Sequence, residues 1–302
     1  MPVIPEFPLD QWIDAAVGWL QENFFPLFDF IVLVLEGAYD LLVTIVTAPG
    51  TLGVILIAGA LGWLVRGWRF GVFSLLGFGF VVSMRFWEAA MQTLSQVLIA
   101  TAIAVALSIP IGILASRNGA VSTAVRPVLD FMQTLPPFVY LVPAVSFFGI
   151  GTVAGTVATI IFAMPPGVRL TELGIRQVDE EMVEAGEAFG ARPRQILARI
   201  QLPLALPTIM AGVNQVIMLS LSMVVLAGIV GAPGLGAEIF RAIEGLQVGE
   251  GFEAGFAVVV IAIFLDRLTG AFSSRGATTR RGWTRGALAS VGIGGRGANG
   301  VG

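Results

Sequence analysis

The hydropathy pattern leaves this chain few folds. Apolar runs at 49–65, 70–84, 93–116, 130–148, 152–168, 204–230 and 252–265 are separated by short charged or Gly- and Pro-rich segments. A hydrocarbon layer is crossed by about 20 helical residues, and backbone N–H and C=O groups inside it must be paired within the protein. These runs predict an all-α integral membrane protein, a multi-span helical bundle of about seven spans. Composition agrees, with 56% hydrophobic and 12% charged residues, where soluble domains carry about a quarter charged. In 302 residues such a bundle leaves little for a separate soluble domain, and one membrane domain, 49–272, is expected.

The missing residue types narrow the chemistry. The sequence holds no Cys and no His, and every one of its 17 basic residues is Arg. Disulfides, zinc and haem centres and Cys or His catalysis are excluded. Without Lys, a phosphate-cradling G-x-x-x-x-G-K-[ST] loop cannot be completed. No catalytic, cofactor-binding or metal residue is expected, and no nucleic-acid partner. The chain reads as a non-enzyme, and any energy from ATP would have to come from a partner.

The Arg positions set the topology. Arg66, Arg69, Arg117, Arg126, Arg169, Arg176, Arg192, Arg194, Arg199, Arg267 and five tail Arg fall on one side, against Arg85 and Arg241, each beside Glu, on the other. Fifteen against two is a strong positive-inside bias. The chain is expected to be multi-pass, with the N-terminus outside and the C-terminus cytoplasmic.

Residues 1–48 carry seven acids and no Arg, with neither the basic start nor the small-residue cleavage site of a secretory signal. Asp29, Glu36 and Asp40 share one helical face. That favours an external amphipathic helix at the membrane interface over a span at 27–46, since each mid-bilayer acid opposes insertion by about 3 kcal/mol. Runs 49–65 and 70–84 form a hairpin whose tip is Arg66, Gly67, Trp68 and Arg69. Pro136, Pro137 and Pro143 predict a kinked or broken helix, and Pro165 with Pro166 is a second candidate break. A turn at 234–236 should lead into a short external helix over 237–246. The Arg-, Gly- and Ser-rich tail, 273–302, reads as disordered.

Two polar features stand out. In 176–203, Asp179 can cap a helix with Glu180 and Glu181 in its first turn, Gly190 stops it, and Pro193 suits the start of a second short helix that Pro203 separates from the next span. In 204–230, Asn214 and Gln215 sit on a stripe with Ala211, Met218 and Ser222, which marks either helix packing or a pathway lining.

The run Glu184-Ala185-Gly186, then Gly190, Ile200 and Leu202-Pro203, resembles the EAA loop of ABC importer permeases, E-A-A-x3-G-x9-I-x-L-P, with Gly186 in place of Ala. The resemblance implies the type I ABC importer permease fold and a loop, 176–203, that docks on a cytoplasmic ATP-binding subunit. It assigns ATPase coupling to Glu184, Ala185, Gly186, Gly190, Arg194, Ile200, Leu202 and Pro203. It extends over about 90–272 through FMQTLPPFVYLVPAVSFFGIG, IIFAMPPGVRLTELGIRQV, QLPLALPTIMAGVNQVIMLSLSMVV and LDRLTGAF, which look like permeases of glycine betaine/proline betaine importers. Those are homodimeric and fed by a periplasmic or lipid-tethered solute-binding protein. Choline, carnitine, ectoine or an amino acid stays open as cargo, as does an ion-coupled carrier.

Overall fold

The structure, a computed structural model, describes residues 8–290, and of Leu9 and residues 272–290 the backbone alone. Among the described residues the fold is helical, with no strand. Helix α1, Leu9–Thr47, is bent at Phe24, because Pro26 lacks the N–H that would bond the carbonyl of Glu22. Its acids Asp29, Glu36 and Asp40 are all exposed.

Helices α2 (Gly50–Arg66) and α3 (Trp68–Ser83) make the expected hairpin. A Cβ on Gly71 would lie 3.0 Å from the Gly59 carbonyl, so small residues bring the two backbones together. At the tip, Arg66 Nε donates to the carbonyl of Arg267 (3.2 Å), and Arg69 lies over the Trp68 ring.

The centre is built from α4 (Trp87–Arg117), α7 (Thr152–Arg176) and α10 (Leu202–Leu226). Helix α7 packs most extensively on α10 and α4. Close approach again rests on glycine, since a Cβ on Gly112 would meet Thr171 Cβ at 2.6 Å and one on Gly212 would meet Leu170 Cβ at 2.9 Å. The largest apolar cluster joins α2, α3, α4 and α10 with Leu235 and residues 257–265, around Phe78, Met91, Leu235 and Ile261.

The expected break at Pro136 and Pro137 is present. Helices α5 (Gly119–Thr134) and α6 (Pro137–Phe148) meet at 100°. The second candidate break is absent, because α7 runs unbroken through Pro165 and Pro166. Both prolines are buried against neighbouring helices, and packing there holds the helix in line despite the missing N–H groups.

Beyond α10, a 3-10 turn (Ala227–Val230) leads to α11 (Leu235–Glu244) and α12 (Val248–Ser290). The α11 helix begins two residues before the sequence expectation because Thr93 Oγ1 accepts the Leu235 N–H at 2.8 Å. By length and composition α1, α4, α7, α12 and the continuous stretch Pro193–Val230 could each cross a membrane, and the bent α5–α6 pair counts as a sixth. Helices α2 and α3 are shorter, at 17 and 16 residues. The tail read as disordered is helical in its backbone to Ser290, since a nucleated helix propagates at little cost where no Pro intervenes. Residues 291–302, like 1–7, lie outside the described residues.

Candidate functional site

The polar loop leaves α7 at Arg176 and folds into α8 (Glu180–Ala188), α9 (Pro193–Ile196), a π turn (Leu197–Gln201) and then α10. Asp179 precedes α8 but its side chain makes no capping bond. The loop is exposed, so water can serve the first N–H groups, and Glu180 and Glu181 still meet the positive end of the helix dipole.

Gly190 ends α8 with φ +76. The Gly190 N–H donates to Glu187 O (2.8 Å) and the Ala191 N–H to Gly186 O (3.0 Å). That bond pair is the Schellman stop, which needs a left-handed residue. Pro193 opens α9, where the Arg192 backbone N–H donates to Gln195 Oε1 (2.9 Å).

Pro203 does not separate the second helix from the span. The chain is helical from α9 into α10, and the π turn takes up the strain, with the Leu202 N–H bonding Leu197 O. Pro203 supplies no N–H for the Arg199 carbonyl and its ring crowds that group; a turn widened to i→i+5 relieves the clash.

These elements bring part of the predicted set together. A Cβ on Gly186 would lie 2.7 Å from Ile200 Cδ1 and 3.5 Å from Ile196 Cγ1, so the two isoleucines fill the space against α8. Ile196 is buried, Ile200 and Leu202 half-buried, and Glu184, Ala185, Arg194 and Pro203 exposed. Glu184 lines a cleft of about 470 Å³ together with Arg117 and Arg176 from the ends of α4 and α7. Arg117 Nη1 also reaches Pro193 O at 3.5 Å. Phe189, 92% exposed, projects beside Gly190; the sequence reading passed over it, although an aromatic in a polar loop is itself a signal.

The α10 stripe divides. Asn214 Nδ2 donates to Asp266 Oδ1 (2.8 Å) and Thr269 Oγ1 donates to Asn214 Oδ1 (3.0 Å), so Asn214 ties α10 to α12. Ala211, Gln215, Met218 and Ser222 lie together on an exposed face of α10, where Ser222 Oγ donates to Met218 O.

Sequence reasoning also missed a polar cluster at the same end. Glu172 Oε1 accepts from Ser122 Oγ (2.7 Å), Arg126 Nη2 (3.2 Å) and Arg176 Nε (3.0 Å), and Arg169 pairs with Asp130. The i, i+4 spacing of Glu172 and Arg176 was a readable signal; the α5 partners depend on how α5 crosses α7.

Residues 108–275 match the family described as "Binding-protein-dependent transport system inner membrane component". The chain belongs to this family. The permease is 46% identical to the glycine betaine/carnitine transport permease GbuB of Listeria monocytogenes, over 91% of this chain and 99% of that protein. It is 46% identical to the glycine betaine permease OpuAB of Bacillus subtilis, over 89% and 95%. Against the glycine betaine/proline betaine permease ProW of Escherichia coli the values are 43%, 92% and 79%. Among solved structures, an inward-facing MetNI methionine ABC transporter chain superposes with a TM-score of 0.53 at 23% identity, covering 61% of this chain and 90% of that one. That likeness gives the permease the fold of an ABC importer membrane subunit. As an inner membrane component of a binding-protein-dependent system, it is a translocating and not a catalytic subunit, and its family implies ATP-binding subunits and a substrate-binding protein as partners.

Proposed function

We propose that this permease carries glycine betaine, proline betaine or a closely related quaternary amine into the cell, driven by a separate ATPase. The observation that supports the cargo is 43–46% identity over about nine-tenths of the chain to permeases named for glycine betaine in three organisms. The 176–203 loop is the ATPase contact, with Phe189 and the exposed Glu184, Ala185 and Arg194 presented outward and Gly186, Ile196 and Ile200 fastening α8 to the foot of α10. ATP and Mg act in the partner. A second copy completes the passage, because Gln215 and Ser222 on the exposed α10 face would leave polar groups against lipid without one. Movement of paired loops by ATPase dimerisation opens the spans outward to a docked periplasmic or lipid-tethered binding protein, and hydrolysis resets them.

The Arg bias supports a cytoplasmic loop and C-terminus and an external N-terminus. Helix α1 then lies at the outer interface and does not cross. Gln21 Nε2 reaches Ser146 O and Phe28 stacks on Phe147 at the C-terminal end of α6, which alternate crossing puts on the same side as the start of α2. Both ends of 28–47 therefore meet one face of the bundle, and the exposed Asp29, Glu36 and Asp40 meet water.

The test is uptake into vesicles holding the permease with its cognate ATPase and binding protein. ATP-dependent glycine betaine uptake, competed by proline betaine and carnitine in preference to choline, ectoine or an amino acid, is expected. Uptake that persists without the ATPase, or none for any quaternary amine, refutes the proposal.

A further inference from the structure

Glu172 is the one buried charged side chain among the described residues, at 6% exposure. A buried carboxylate is retained only where it is paired and hydrogen-bonded, and this one collects three side-chain donors from two helices. From α5 come Ser122 and Arg126, and from α7 comes Arg176. Arg176 continues to α4, its Nη2 donating to Ala115 O at 2.9 Å. The same Arg176 lines the cleft at α8 and α9 together with Glu180, Glu184 and Glu187. One guanidinium thus borders the coupling loop on one side and Glu172 on the other.

The far end of this chain of contacts is α5. Only Ser122 and Leu129 of α5 are buried, and no α5 residue belongs to any of the apolar clusters found among the described residues. Its hold on α7 is therefore mainly polar, through Glu172 and the Arg169–Asp130 pair. Helix α5 turns by 100° into α6, which runs along α7 with Tyr140 against Phe162 and Ala144 clustered with Ala154 and Ala158. A displacement of the foot of α5 is carried by that bend into α6.

We infer that Glu172 is a positioning residue for transport: through Arg176 and Arg126 it transmits movement of the α8–α9 loop to the bent α5–α6 arm. This rests on the coupling role proposed for the loop. Without the carboxylate, α7 still follows the loop, being continuous with it, but α5 loses its buried tie to α7 and keeps only the exposed Arg169–Asp130 pair.

The experiment uses the complete complex of permease, ATPase and binding protein in vesicles. Because the chain has no Cys, spin labels at Leu107→Cys on α4 and Val142→Cys on α6, both exposed, report the arm directly. With Glu172 present, ATP should shift the label–label distance. Glu172→Gln should abolish the shift, lower uptake at least tenfold and remove stimulation of hydrolysis by loaded binding protein, while assembly and basal hydrolysis stay within twofold. Arg126→Gln should do the same, and the double variant should transport no worse than Glu172→Gln alone. A shift that persists in Glu172→Gln, the absence of any ATP-dependent shift in its presence, or a loss of basal hydrolysis in a Glu172→Gln complex that does assemble overturns the inference. If Glu172→Gln does not assemble, Arg126→Gln, altered at a side chain 60% exposed, decides alone: normal uptake overturns it. Gly190→Pro separates the two proposals. If it transports normally the coupling role fails; if it is dead while Glu172→Gln transports, only the role of Glu172 fails.

Discussion

Gly186 stands where the family motif has Ala, and the structure says what restoring the methyl would do. The new Cβ would sit 2.7 Å from Ile200 Cδ1 and at 3.5 and 3.9 Å from Ile196 Cγ1 and Cδ1. Two terms favour Gly186→Ala: about 1 kcal/mol of helix propensity and about 0.8 kcal/mol for burying a methyl. One term opposes it, because Ile200 must swing its terminal methyl aside, an off-rotamer strain of about 0.5–1.5 kcal/mol. The obstacle is the far end of a flexible side chain and not backbone, so the net is stabilising by about 0.3–1.3 kcal/mol. Amide hydrogen exchange in α8, measured in the assembled complex, should slow by roughly two- to ninefold, with ATP-driven uptake kept. Gly186→Leu should do the reverse, forcing α8 off the two isoleucines at about 1–3 kcal/mol. Faster exchange in Gly186→Ala would refute the reasoning, because it would mean that Ile200 cannot yield and that the glycine is required by packing.

Other consequences are as direct. Gly190→Ala, at φ +76, should weaken the α8 stop by about 1–2 kcal/mol and reduce uptake; Gly190→Pro also removes the N–H bonded to Glu187 O and should abolish ATP-driven uptake without lowering the ATPase's own hydrolysis. Gly236→Ala would drive a methyl into the backbone of Val225, which cannot move aside, so the yield of folded permease should collapse in a detergent-extraction assay. Asn214→Leu removes the amide that bonds Asp266 and Thr269 across α10 and α12 and should lower thermal stability by about 1–3 kcal/mol with cargo preference unchanged, whereas Gln215→Leu on the exposed face should alter the KM for uptake at unchanged stability. Phe189→Ala should weaken ATPase capture, read by co-purification, and leave the fold intact.

Much of the fold was legible because membrane burial acts on composition. Runs of apolar residues and the Pro136–Pro137 break are one-dimensional signals, and the structure has helices and a bend where they point. The α8 stop at Gly190 was readable for the same reason, since a left-handed residue at a helix end is a local requirement. The signals that misled were also local. Pro165–Pro166 and Pro203 read as breaks, yet α7 runs straight between α4 and α10, and a π turn carries the chain through Pro203. Proline penalties of a few kcal/mol are outweighed when neighbouring helices and a widened turn re-satisfy the freed groups.

The sequence by itself determined a helical membrane protein, and a polar loop with the residue spacing of the permease EAA motif. Those follow from residue types and intervals along one chain. Only the tertiary structure decided that Gly186 faces Ile196 and Ile200, that Asn214 is bound to Asp266 and Thr269, and that Glu172 gathers Ser122, Arg126 and Arg176 beneath the loop. Each partner lies ten to fifty-five positions away or, for Arg176, acquires its meaning from Ala115, sixty-one residues earlier. Hydrogen bonds and packing act over a few ångströms in space, and the crossing of α5, α7, α10 and α12 sets which residues come within that reach.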